Sequence, residues 1–209
     1  PPEMTSFSFP TGIALVDESG EMFVEKRAGK LANLQTALVD RTPHAALGLA
    51  HTRWATHGEP NDRNAHPHYS SNEKLAIIHN GIIENYSSLK QELINKGHVF
   101  LSDTDTEVLI HLIEDIKINN NFSLEEAVRL ALTKVVGAYA MVIMSADDPT
   151  VLIAARKGSP LVIGMGKGEY FMASDATPII EYTNEVVYLN DQEIAVVKDG
   201  KLTVKTTTN

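Results

Sequence analysis

After Gly137 the chain breaks into seven short apolar runs: "AYAMVIMS", "TVLIAAR", "PLVIGM", "EYFMAS", "EVVYLN", "EIAVVK" and "KLTVKT". Gly, Pro, Asp and Asn separate them, which is the pattern of short strands joined by turns. The first half is mixed. "GIALVDESGEMFVEKR" predicts two strands joined at Glu18-Ser19-Gly20, a hairpin by its turn chemistry. "KLANLQTALVD" has helical apolar spacing, and "ALGLAHT" and "LAIIHNG" read as buried strands that deliver polar residues at their ends. "NYSSLKQELINKG" predicts a helix closed by Gly97. "DTEVLIHLIEDIKI" and "LEEAVRLALTKVV" are two more, the second opened by Ser123 with Glu126 in a capping box. Many strands with a few helices near the middle predict an α+β fold, with helices packed outside antiparallel sheets.

No repeat or linker interrupts this pattern, so residues 1–209 read as a single domain, long enough to bury its own core. The 43% apolar and 22% charged fractions are those of a soluble globular protein. A formal charge of −9 argues against a nucleic acid partner. No apolar run approaches the roughly 20 residues a membrane helix needs. The opening "PPEMTSFSFP" has no basic and apolar regions of a signal peptide and reads as an irregular leader. With no cysteine, a disulfide framework and a thiolate metal site are both excluded, which suits a cytoplasmic setting.

Three polar clusters follow strands or open helices: "HTRWATHG" at 51–58, "HNG" at 79–81 and "SDTDTE" at 102–107. Arg53 could grip a carboxylate through paired hydrogen bonds, with a Gly-ended loop folding over the ligand; stacked on Trp54 it would be ordinary surface. Asn80 and Gly81 could donate an amide and a backbone N–H to an oxyanion, although Asn-Gly is also a common turn. Thr104 and Glu107 read as N-cap and N3 of the next helix, which leaves Asp105 free for a ligand's ammonium group. His66-Pro67-His68, with His57 and His79, invite a metal. No metalloprotease-type spacing accompanies them, and hydrogen-bonding loop posts are the preferred reading.

The clusters recur together, in this order, in a known family. With "AGKLANL", "GLAHTRWATHGEPNDRNAHPH", "IIHNGIIENYSSLK", "SDTDTEVLIHLI", "GAYAMVIM", "ARKGSPLVIG" and "ASDATPIIEYTN", the chain resembles the glutaminase domain of the glutamine–fructose-6-phosphate transaminases (isomerizing), which are class II glutamine amidotransferases. The likeness runs from about Gly12 to Val197. "RWAT" stands where relatives acting on phosphoribosyl pyrophosphate have Arg-Tyr-Ser-Thr. The resemblance implies the N-terminal-nucleophile hydrolase fold, a four-layer αββα sandwich. It implies hydrolysis of glutamine, with the ammonia passed to a sugar-phosphate isomerase domain that makes glucosamine 6-phosphate from fructose 6-phosphate. Arg53 would hold the glutamine α-carboxylate, aided by Thr56 and His57. Asp105 would hold the α-ammonium, Asn80 and Gly81 would form the oxyanion hole, and Trp54 would belong to the covering loop. No cofactor and no metal are expected. The partners would be glutamine, the isomerase domain and further copies of the full enzyme in a homo-oligomer, with neither nucleic acid nor membrane.

One departure stands out. The family's nucleophile is an N-terminal cysteine with its own α-amino group as base, and "PPEMTSFSFPT" matches neither that strand nor the segment after it. The chain as it stands is therefore expected to lack the nucleophile and glutaminase activity, and the loss of a central strand to expose sheet edges. Truncation, engineering and natural loss all remain open as causes. The alternative function is a non-catalytic glutamine-binding or regulatory module.

Overall fold

The computed structural model describes residues 9–41, 43–53 and 59–208. Strands β1 (Thr11–Asp17) and β2 (Met22–Arg27) form the expected hairpin. Asp17 Oδ1 organises the turn by accepting from the Ser19 N–H, the Ser19 hydroxyl and the Glu21 N–H. Gly20 takes the left-handed φ of +80° that the turn requires. Helix α1 (Leu31–Leu38) follows, and β3 (Ala45–Thr52) returns to pair antiparallel with β1, giving the order β2-β1-β3. β3 departs from expectation. As an edge strand it is not a buried strand and buries only Leu49.

The histidine-rich stretch contains a short strand the sequence did not reveal, β4 (His68–Tyr69), paired with β5 (Leu75–Ile83). β5 does not stop at His79-Asn80-Gly81 as read. It runs through them to Ile83, with Asn80 opposite Ala140 and Gly81 opposite Tyr139. Three helices come next: α2 (Tyr86–Asn95), α3 (Asp105–Asn120) and α4 (Leu124–Lys134). Gly97 lies just past α2 with φ +96°, and Ser123 caps α4 by accepting from the Glu126 N–H at 3.2 Å.

The seven later runs all become strands: β6 (Gly137–Ser145), β7 (Val151–Lys157), β8 (Val162–Met165), β9 (Tyr170–Ala173), β10 (Val186–Tyr188), β11 (Glu193–Lys198) and β12 (Lys201–Thr206). A six-stranded antiparallel sheet has the order β12-β11-β7-β6-β5-β4, and β10-β8-β9 form a small third sheet.

Period-two alternation assigns each residue of the large sheet to a layer. Tyr139, Met141, Ile143, Ile153, Ala155, Ile194 and Val196 point to one side, where they pack with Leu93, Ile110, Ile113 and Val128 of the helices. Their neighbours Ala76, Ala140, Val142, Met144, Ala154 and Ala195 point to the other, against Ala14, Val16 and Leu49 of the first sheet and Leu161 and Ile163 around β8. Large side chains fill the helix side, and alanines dominate the seam between sheets. α1, resting on β1 and β2 through buried Leu34, completes the layering on the far side. The architecture is the α+β sandwich of antiparallel sheets between helices, with the helices unevenly divided. None of the described helices is long and apolar enough to cross a membrane.

Candidate functional site

Strand ends and a helix start meet at one place. Arg53 directly follows β3, where its N–H donates to the Pro10 carbonyl at 2.8 Å and its side chain is buried. Asp105 is the first residue of α3. Thr104 caps that helix by accepting from the Glu107 N–H at 3.2 Å. Glu107 reaches back further than a simple capping box. Its carboxylate accepts from the Leu101 and Ser102 N–H groups, both at 2.7 Å, and from the Ser102 hydroxyl at 2.6 Å. Asp105 stays outside this cap. Its Oδ2 accepts the Ile83 N–H at 2.8 Å, which joins the helix start to the end of β5.

Within β5, alternation sends His79 towards α3 and Asn80 towards β3. His79 Nδ1 lies 3.0 Å from the Thr106 hydroxyl, and Asn80 Oδ1 lies 2.9 Å from His51 Nε2. An amide oxygen only accepts, so His51 is the donor there, and the Asn80 NH2 group is left to donate elsewhere. Gly81 has φ +138°, and a Cβ on it would stand 2.1 Å from the Ala138 carbonyl oxygen. Only glycine fits.

Arg53, Asn80, Gly81 and Asp105 line one cavity of about 250 Å³, together with His51, His66, His79, Thr104 and Thr106. That volume is below the range of drug-sized ligand sites and suits a small metabolite. The other three residues named from the sequence, Trp54, Thr56 and His57, lie outside the described residues. His51 and Thr106 are lining residues that sequence reasoning did not single out, and His66 reads from the sequence only as a loop post or metal candidate. His51 sits in the histidine-rich stretch, and Thr106 is inside "TDTE".

Burial is the main cause of depressed pKa values at four imidazoles. It takes His51 down, with the Asn80 bond opposing, and His79 down, with Asp105 opposing. His66 and His68 fall well below the ordinary imidazole value, helped by neighbouring cations such as Arg53. These rings are neutral at pH 7. Burial also lowers Arg53 while Asp105 raises it, and a guanidinium keeps its charge in any protein. The cavity thus carries one fixed cation and one carboxylate among neutral polar groups. His66 Nε2 lies 2.9 Å from the Thr106 hydroxyl and His68 Nε2 lies 3.0 Å from that of Thr104, as loop posts would.

A larger hollow of about 770 Å³ lies beside Lys26, Arg27, Asp62, Arg63, Glu73 and Glu107. Burial pushes Lys26 down to about 8 despite Glu107 and Asp62. Its cations and carboxylates offset one another, and no donor–acceptor set like that of the smaller cavity converges there.

Residues 37–206 match the family model described as a glutamine amidotransferase domain. The chain is 56% identical over 190 residues to the glutamine–fructose-6-phosphate aminotransferase [isomerizing] of Bacteroides thetaiotaomicron, covering 91% of the chain and 31% of that protein. To the protein of the same name from Chlorobaculum tepidum it is 55% identical over 202 residues, covering 95% and 33%. The chain therefore spans about a third of the length of these relatives. Among solved structures, the glutamine phosphoribosylpyrophosphate amidotransferase of B. subtilis superimposes with a TM-score of 0.79 at 29% identity, covering 95% of the chain and 43% of that structure.

Proposed function

Since the chain belongs to the glutamine amidotransferase domain family, we propose that the cavity binds free glutamine. Arg53 takes the α-carboxylate and Asp105 the α-ammonium, so the two ends of the amino acid meet opposite charges. The side-chain carbonyl then lies near Asn80 and Gly81. Their amide and backbone N–H groups are the donors for an oxyanion that develops on that carbonyl. His51 keeps the Asn80 oxygen turned away from the ligand. By the family likeness Thr56 and His57 would aid Arg53, and Trp54 would belong to the covering loop. In the whole protein the ammonia released would serve an isomerase domain making glucosamine 6-phosphate from fructose 6-phosphate.

The observation carrying this reading is the convergence of Arg53, Asp105, Asn80 and Gly81 on one cavity of metabolite size. Hydrolysis also needs a thiol, and the 209 residues contain no cysteine. By themselves they bind glutamine without cleaving it. Calorimetry of the purified protein with glutamine tests the binding. A saturable signal lost in Arg53→Ala and in Asp105→Ala is expected, and no signal in the parent protein would sink the proposal.

The second reading is a non-catalytic glutamine-binding or regulatory module, which would use the same convergence of Arg53 and Asp105 without turnover. Glutamate release distinguishes the two: turnover by the full-length protein carrying this domain supports the amidotransferase, and binding without turnover there supports the module.

A further inference from the structure

The connection from α2 to α3 gathers side chains that glutamine binding leaves unused. His98, just beyond α2, and His111, in the middle of α3, meet with their Nδ1 atoms 3.1 Å apart. Glu114, one turn along α3, brings a carboxylate oxygen into the same group, with all three ligand atoms within 4.8 Å of one another. His111 and Glu114 are buried and His98 is half-buried. Among the described residues this is the one cluster of three such groups.

The far side of each ring faces a carboxylate: His98 Nε2 lies 3.5 Å from Asp115 Oδ1, and His111 Nε2 lies 3.8 Å from Glu107 Oε1. Asp115 favours the ring proton on His98 Nε2, which leaves His98 Nδ1 as a lone pair facing the cluster, as in histidines that bind metals. Glu107 is beyond hydrogen-bond range, so without an ion His111 can donate its Nδ1 proton to His98 across 3.1 Å. An ion bound by both Nδ1 atoms would move that proton to the Glu107 side of the His111 ring.

The three ligand atoms are spaced for a metal ion. Tetrahedral zinc with Zn–N bonds of about 2.0–2.1 Å holds two nitrogens roughly 3.4 Å apart, a few tenths of an ångström from the observed spacing. Glu114 can join without losing its present partners. Its two oxygens accept the Ser71 and Asn72 N–H groups at 3.0 Å each, and a carboxylate has about four lone-pair sites. Ser71 Oγ, 3.4 Å from His111 Nδ1, adjoins the fourth position.

We propose that His98, His111 and Glu114 form a structural site for zinc or a similar divalent transition metal. It clamps the end of α2, the middle of α3 and the turn at 70–72. Two imidazoles and a carboxylate suit such metals rather than calcium or magnesium. The site differs from the histidine-rich loop considered in the sequence, and it does not depend on glutamine binding.

The test is metal analysis and zinc titration of the purified protein after dialysis. One zinc per chain is expected, together with the visible absorption of a four-coordinate site after cobalt(II) substitution. His98→Ala should abolish stoichiometric binding. His98 carries the test because it lies in a loop and its loss spares the core. Asp115→Asn should weaken binding about 10–100-fold by releasing the His98 ring. His44→Ala, at an exposed histidine elsewhere, should change nothing. Absence of stoichiometric zinc in the parent protein would overturn the proposal, as would zinc retention undiminished in His98→Ala.

Discussion

At the scale of single residues, Asn80 and Gly81 are neighbours held by different constraints. Asn80 is oriented through His51, so its amide is set before any ligand arrives. On the proposed reading, Asn80→Ala in a full-length protein carrying this domain should lower kcat for glutamine hydrolysis by about 10²–10³-fold, the usual cost of one oxyanion donor, while glutamine affinity changes little. Steady-state kinetics beside calorimetry reads the two effects separately. Gly81→Ala is a backbone problem instead. The added methyl would meet the Ala138 carbonyl, and its direction is fixed, so no rotamer relieves the contact. A loss of about 1–3 kcal/mol or more in urea unfolding is expected. The buried histidines add a pH dependence of known sign. His66 and His68 have native pKa values below the ordinary value of about 6.5, so below that pH the unfolded chain binds more protons and stability falls. Above it this contribution is fully present. The urea midpoint should drop between pH 7.5 and pH 5, and His68→Gln should shrink the drop.

At the scale of elements, α3 links fold and site. Its cap joins Thr104 to Glu107, Ser102 and His68, and its first residue is Asp105. Thr104→Ala should cost about 1–2 kcal/mol by removing the cap, measurable by urea unfolding, and weaken glutamine binding through Asp105. All four helices were legible, because caps and apolar spacing are local signals. So were the seven late strands and the first hairpin. β4 was not: two residues among histidines carry no pattern, and only their pairing with β5 makes them a strand. The edge position of β3 was hidden for a related reason, since its small apolar residues do not say which side lacks a neighbour. The Asn80-Gly81 pair looked like a turn, yet cross-strand pairing with β6 carried the strand through it. Of the site, Arg53, Asp105, Asn80 and Gly81 stand out by their chemistry, and family likeness joins them into one site. His51 and Thr106 needed coordinates, because what they do depends on partners tens of residues away.

At the scale of the molecule, two interiors of different character lie on either side of the large sheet. The helix side is built from bulky residues, and truncating one, as in Ile143→Ala, should cost about 2–5 kcal/mol in equilibrium unfolding through the cavity it leaves. The opposite seam is lined with Ala14, Ala76, Ala140, Ala154 and Ala195. Arg53 hangs from the first sheet, whereas Asn80 and the Asp105 tether belong to the large one. The distance across which glutamine would have to stretch is therefore gauged by methyl groups that never touch it. On the proposed reading, widening the seam by one or two carbons at Ala154 should draw the jaws of the clamp apart and weaken the grip on glutamine, although Ala154 itself looks like mere filler.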